Sequence, residues 1–451
     1  LKALLLAAAA VAATAGAALA ETVAVTNARV LTMGRGGEIA RGTVVMTDGK
    51  ITAVGANVAV PAGARVIDAQ GKVVTPGLVV ADSILGLTEV GALQDTNDFS
   101  SSDDAIGAAF DVQYGINPDS MVLPVARLGG ITRAIVQPVS SGGGAGVHEH
   151  DGEVEHMTAG AGGHGYDQAG LFAGQAAVIH LGAGPDLVVR PKVAMIAPLG
   201  NAGADVAGGA RGAHIVELKI ALDDARWYAR NRAAYAQGNG RELGLSRADL
   251  EALIPVVEGR MPLVVSVHRA ADIRQALRLA REERIRIIVE GGEEAWRVAD
   301  ELAAARVPVL LNPLSNLPES FETLGSTLDN AARLHRAGVT IAIVGNEGSA
   351  HRAREMRWNA GNAVAHGLPW QAALEAITIN PARIFGVDQT FGSLEVGKDA
   401  DVVIWSGDPL EPLTRAEQVF VKGEAMPMTS RQHQLRDRYM PRDTPYPPAY
   451  R

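Results

Sequence analysis

The densest cluster of residues able to do chemistry lies in residues 140–174, SSGGGAGVHEHDGEVEHMTAGAGGHGYDQAGLFAG. His148, His150, His156 and His164 are four of the eleven histidines, and Asp151, Glu153 and Glu155 stand among them. His148-x-His150 with these acids and His156 offers enough N and O donors for a transition metal. The surrounding glycines oppose that use, because ordering a flexible loop around an ion costs entropy. A polar functional loop is the alternative role. A second set is scattered: Asp82 follows an apolar run after Thr75-Pro76-Gly77, His268 follows MPLVVSV, and Glu290 ends IRIIVE. Asp82 and Glu290 have the chemistry of a hard oxygen site for Mg²⁺ or Ca²⁺, or of an acid/base couple with split pKa values. A carboxylate or a lone histidine at such a position also serves simply as a hydrogen-bonded pocket residue.

What precedes the scattered residues gives them a common setting. MPLVVSV (261–267), IRIIVE (285–290), VPVLL (307–311) and VTIAIVG (339–345) read as buried strands. Between them run helical stretches such as ADIRQALRLAREER, EEAWRVADELAAA and LDNAARLHRAG. Strands alternating with helices of this length mark βαβ units and a parallel sheet, and so many units suggest a barrel. Barrel chemistry gathers at the C-terminal ends of the strands, where these residues fall. Both flanks differ. Glu21–Thr75 and Gly392–Glu424 consist of short strands and turns, with Asp48-Gly49 as a tight hairpin signal. The two β flanks are expected to pair into one small sheet domain.

Composition bounds the function. The chain has 451 residues, 47% apolar and 20% charged, as expected of a soluble globular protein. Its net charge of −9 argues against a nucleic-acid partner, which demands clustered Lys and Arg. Residues 1–20, LKALLLAAAAVAATAGAALA, read as a secretory signal peptide with Ala18-Leu19-Ala20 as its cleavage box; a retained anchor is the alternative. The expectation is an exported protein, periplasmic or secreted, with no membrane span after signal cleavage. The absence of cysteine suits an oxidising compartment without requiring one.

Four motifs carry a family resemblance: Val74-Thr75-Pro76-Gly77, Gly174-Gln175 with AVIHL, TINPARIFGV (378–387) and GSLEVGKDADVVIW (392–405). In this order the chain resembles the imidazolonepropionase-like branch of the amidohydrolase superfamily over about residues 21–425. The resemblance implies an α/β fold: a (β/α)8 TIM-type barrel with a small β-sandwich formed by both chain ends. The expected division is 1–20 signal peptide, 21–75 sandwich, 76–385 barrel with 140–174 inserted, 386–425 sandwich, and 426–451 a polar tail draped over the surface or a partner. It also implies a divalent, zinc-type metal that activates water for attack on a C–N or C–O bond.

Carried over strand by strand, the family's His-x-His becomes Asp82 and Ile84, its fifth-strand histidine is His268, and its sixth-strand histidine becomes Glu290. Its final aspartate, a ligand and general base, becomes Asn346, with Glu347 next. Isoleucine cannot bind a metal and an amide has no useful basicity, so the implied metal site is degenerate, with His268 as its surviving ligand. Lys219 lies in a stretch that reads as a long amphipathic helix and is not assigned as a bridging ligand. Gln175 is expected either at the pocket mouth or in a structural role. Asn380-Pro381 and Asp399-Ala400-Asp401 read as architecture.

The expected function is that of an exported member, by ancestry a hydrolase of amide or cyclic-amide C–N bonds other than linear peptide bonds. It would be non-classical or inactive and act with an intact amidohydrolase paralogue, as a homo- or hetero-oligomer. Two alternatives remain open. One is an active hydrolase using Asp82, His268 and Glu290. The other is a periplasmic module that binds a small molecule or a metal through the barrel mouth and the His148–His164 loop.

Overall fold

Apolar residues recur through TVAVTNARVL and EIARGTVVMT, and these segments form β1 (Thr22–Leu31) and β2 (Glu38–Thr47). The computed structural model of the chain describes residues 21–91, 93–101, 103, 106–139, 170–345 and 350–440. Thr47 pairs with Lys50 across Asp48-Gly49, both at positive φ, so β2 turns tightly into β3 (Lys50–Gly55). β4 (Arg65–Asp68) and β5 (Val73–Pro76) then run parallel to β1.

The barrel strands follow: β6 (Leu78–Val80), β7 (Ile131–Val136), β8 (Gly174–His180), β9 (Val188–Pro198), β10 (Leu263–Val267), β11 (Ile287–Gly291), β12 (Val309–Leu311) and β13 (Ile341–Ile343). They form one eight-stranded sheet in chain order. Strands β9 to β13 pair in parallel, as does β6 with β7. β8 departs from this pattern, running antiparallel to both β7 and β9. Residues 181–187 join β8 to β9, far fewer than the dozen or so a parallel crossover needs, so the chain turns straight back.

The curled sheet meets itself through Ala376 and Ile377. The Ile343 N–H donates to the Ala376 carbonyl (3.0 Å) and the Val79 N–H to the Ile377 carbonyl (2.9 Å). Side chains then divide by strand parity. Val79, Ile135, Ala194, Val264, Ile288, Leu310 and Ala342 fill the barrel interior, while their neighbours Leu78, Leu263, Val265, Ile287 and Val289 pack outward against helices.

β14 (Val402–Trp405), β15 (Ala416–Val421) and β16 (Glu424–Ala425) complete the sheet begun by the N-terminal strands, in the order β16-β15-β14-β5-β1-β2-β3. β14 lies antiparallel on β5, so both chain ends build one domain, and the expected barrel with an appended β domain is the observed architecture. Gly77 links β5 to β6 and must be glycine: a Cβ there would lie 2.0 Å from Thr132 Oγ1. The segment read as a surface tail includes a helix, Arg431–Tyr439. Among the described residues no helix is long and apolar enough to cross a membrane.

Candidate functional site

Four strands bring polar residues to the barrel mouth at or just past their apolar runs. β6 delivers Asp82, β7 delivers Gln137, β10 delivers His268, and β11 carries Glu290 as its penultimate residue. Gln137 ties the first and last strands of this set together. Its Nε2 donates to Asp82 Oδ1 at 2.7 Å and also to Glu290 Oε1. Both amide protons are thereby committed to carboxylates. Gln137 is 3% exposed, and its Oε1 is a buried acceptor without a partner. The Gln137 N–H donates to the Ser83 carbonyl (2.9 Å), which fixes the two strand ends against each other.

Asp82 is only partly covered, yet it lies deep enough that desolvation pushes its carboxyl up to about 6, against the lowering effect of the Gln137 hydrogen bond. Glu290 is buried beside it. Ile84, at the second position of the implied His-x-His pair, is 4% exposed and packs into the main hydrophobic core.

His268 stands one residue past the β10–β11 pairing of Val267 with Gly291. Its Nδ1 bonds Glu293 Oε2 at 2.6 Å. Gly291, at φ +84°, makes room for the ring, since a Cβ there would lie 2.6 Å from His268 Nδ1. Glu294 braces the same turn, accepting from the Ala270 N–H (3.0 Å) and the Gly325 N–H (2.8 Å). A histidine oriented by a carboxylate is the arrangement metal-binding imidazoles use, so His268 keeps a ligand's chemistry.

The rest of the set does not fit a zinc-type ion. The point shared by Asp82 and Glu290 is taken by an amide N–H2 group, and Ile84 offers no donor. Among the described residues no three His, Cys, Asp or Glu side chains converge as a metal site. Lys219 Nζ pairs with Glu282 Oε2 (2.8 Å) between two outer helices, away from the mouth. Asn346, Glu347 and the cluster of His148, His150, His156 and His164 lie outside the described residues.

Gln175 is buried on β8 and donates to the Ala109 carbonyl at 3.3 Å, a structural role. Asp399 and Asp401 are architectural too. They receive the buried Arg133 guanidinium of β7 at 2.8 and 2.5 Å, joining barrel to β domain. Two members of the mouth escaped the sequence reading, Gln137 and Glu293. Gln137 follows the apolar run ITRAIV, a place where barrel chemistry is expected, but it matches no family ligand as His268 does; Glu293 sits in the acid-rich EGGEE turn and carried no separate signal.

Comparison with known proteins agrees with this architecture. Residues 268–426 match the Amidohydrolase family. The chain is 24% identical over 413 residues to amidohydrolase tasK of Hapsidospora irregularis, covering 86% of this chain and 39% of that protein. It is 33% identical over 86 residues to an imidazolonepropionase of Sphingopyxis alaskensis, covering 19% of this chain and 21% of that one. The chain thus spans well under half the length of these curated relatives. Among solved structures, an amidohydrolase from Thermotoga maritima superposes with a TM-score of 0.76 at 25% identity, over 90% of this chain and 99% of that one. Fold, motif order and these matches agree: the chain belongs to the amidohydrolase superfamily.

Proposed function

We propose that this is an exported amidohydrolase, descended from hydrolases of amide and cyclic-amide C–N bonds, whose barrel mouth no longer works as a metal centre. It acts alongside an intact amidohydrolase paralogue. The observation that carries the reading is the Gln137 amide nitrogen, which bridges Asp82 and Glu290 where a metallohydrolase needs a cation. Metal-activated water needs several N or O ligands around one ion and an open coordination position. An amide donor between two carboxylates supplies neither.

The purified chain, loaded with zinc, manganese or iron and then desalted, is expected to retain less than one equivalent and to leave N-acyl amino acids, dipeptides and lactams intact. One retained equivalent, together with turnover that disappears in Glu290→Ala, contradicts the reading.

A second reading draws on the same geometry. Asp82 and Glu290 flank one hydrogen-bonded amide while Glu293 orients His268, so a metal-independent acid/base couple has its parts at the mouth. Turnover in the metal-stripped chain, lost in both Asp82→Asn and His268→Ala, would favour this second reading over the first.

A further inference from the structure

We propose that the barrel mouth binds the ammonium head of a small organic amine, with Asp82 and the Gln137 side-chain oxygen as its acceptors. The inference rests on the reading of this mouth as free of a catalytic metal, and it names the ligand class for that same site.

Gln137 has two amide protons, and both go to carboxylates, one on Asp82 and one on Glu290. Holding the amide this way leaves Oε1 buried and without a partner. Glu290 is therefore the positioning residue: it fixes which face of the amide Gln137 presents. Buried acceptors of this kind are normally satisfied by protein, water or ligand. Asp82 adds a second acceptor with capacity to spare. A carboxylate accepts about four hydrogen bonds, and among the described residues the bond from Gln137 is the one the Asp82 side chain accepts. No Lys or Arg forms an ion pair with Asp82 there, and the charged groups at the mouth are mainly acids.

A site rich in acceptors and poor in donors selects a ligand that donates. Charge-assisted bonds are about twice as strong as neutral ones, so an N–H cation outcompetes an amide or an alcohol. A primary ammonium brings three N–H donors and needs only two or three acceptors. Mg²⁺ or Ca²⁺ between Asp82 and Glu290 would meet the Gln137 N–H2 donors there, and among the described residues no three His, Cys, Asp or Glu side chains converge on one point. Asp82 is partly exposed while its neighbours Gln137 and Glu290 are buried, so the ammonium head would enter past Asp82.

The test is titration calorimetry on the full chain with n-butylammonium chloride, against tetramethylammonium chloride and sodium butyrate. Butylammonium is expected to bind saturably, whereas tetramethylammonium, which has no N–H, and butyrate are not. Asp82→Asn and Gln137→Leu, each checked for wild-type circular dichroism, should bind butylammonium about tenfold more weakly or worse. Butylammonium that does not saturate, equal binding of tetramethylammonium, or unchanged affinity in both folded variants overturns the proposal. A parallel arm adds zinc or magnesium chloride alone. One tightly held equivalent lost in Asp82→Asn would overturn the metal-free reading as well, whereas failure of the amine with no metal bound overturns the ammonium proposal alone.

Discussion

Asp82 is the residue on which the most physical consequences turn. Burial raises its carboxyl from 3.8 to about 6, so the folded chain holds this proton to higher pH than the unfolded chain does. The contribution to stability is thus fully present below about pH 4 and is lost as pH rises through about 6, a change of at most about 3 kcal/mol. Asp82→Asn removes the titration. Urea unfolding across this range should find wild type losing stability relative to the Asn variant as pH rises, and a constant difference would argue that Asp82 is not desolvated. At this scale the sequence was legible in part. Asp82, His268 and Glu290 were identified as the positions matching the family's ligands, and Gln137 joins Asp82 to Glu290. Gln137 lies at none of the positions carried over from the family's ligands, and no local pattern announces that an amide will bridge two carboxylates from strands β6 and β11.

Among elements, the junction of β5 and β6 is the tightest point in the framework. Gly77 brings the start of β6 against β7, with Thr132 filling the space a side chain would need. Gly77→Ala should cost about 1–3 kcal/mol by overpacking, read by chemical denaturation. Combining it with Thr132→Gly should restore part of the loss, and an additive double variant would count against this contact. The alternation of strands and helices from Met261 onward was readable because each apolar run is bounded by a helix of ordinary period. β8 was not readable as antiparallel. AVIHL looks like any buried strand, and its direction is set by the short 181–187 link and its pairing with both neighbours, which are features of the assembled sheet.

At the scale of the whole molecule, the barrel and the β domain are coupled through buried charge. Arg133 is 0% exposed and is held between Asp399 and Asp401, while Lys50 reaches Asp399 from the N-terminal half of the β domain at 2.6 Å. Trp405, fully buried on β14, donates its indole N–H to Thr75 Oγ1 on β5 at 2.9 Å. Arg133→Met should destabilise the chain by about 3–5 kcal/mol, because it strands the buried Asp401 carboxylate, whereas Asp401→Asn should cost less, because Asp399 still pairs with Arg133, and the double variant should lose less than the sum. Simple additivity in thermal or urea unfolding would show the groups to be uncoupled. The GKDAD motif was read as architecture from its resemblance to family turns. That its aspartates anchor an arginine from the second barrel strand depends on contacts over a long sequence separation, which composition and periodicity do not encode.

On the proposed reading, the mouth formed by Asp82, Gln137, Glu290 and His268 is organised by hydrogen bonds and not by a metal. Diffraction at the zinc absorption edge, from crystals of the chain grown with excess zinc, is the decisive experiment. The expected result is no anomalous peak among these four side chains and a Gln137 amide bonded to both carboxylates. A zinc peak bound by Asp82, Glu290 and His268, with Gln137 turned aside, would contradict it.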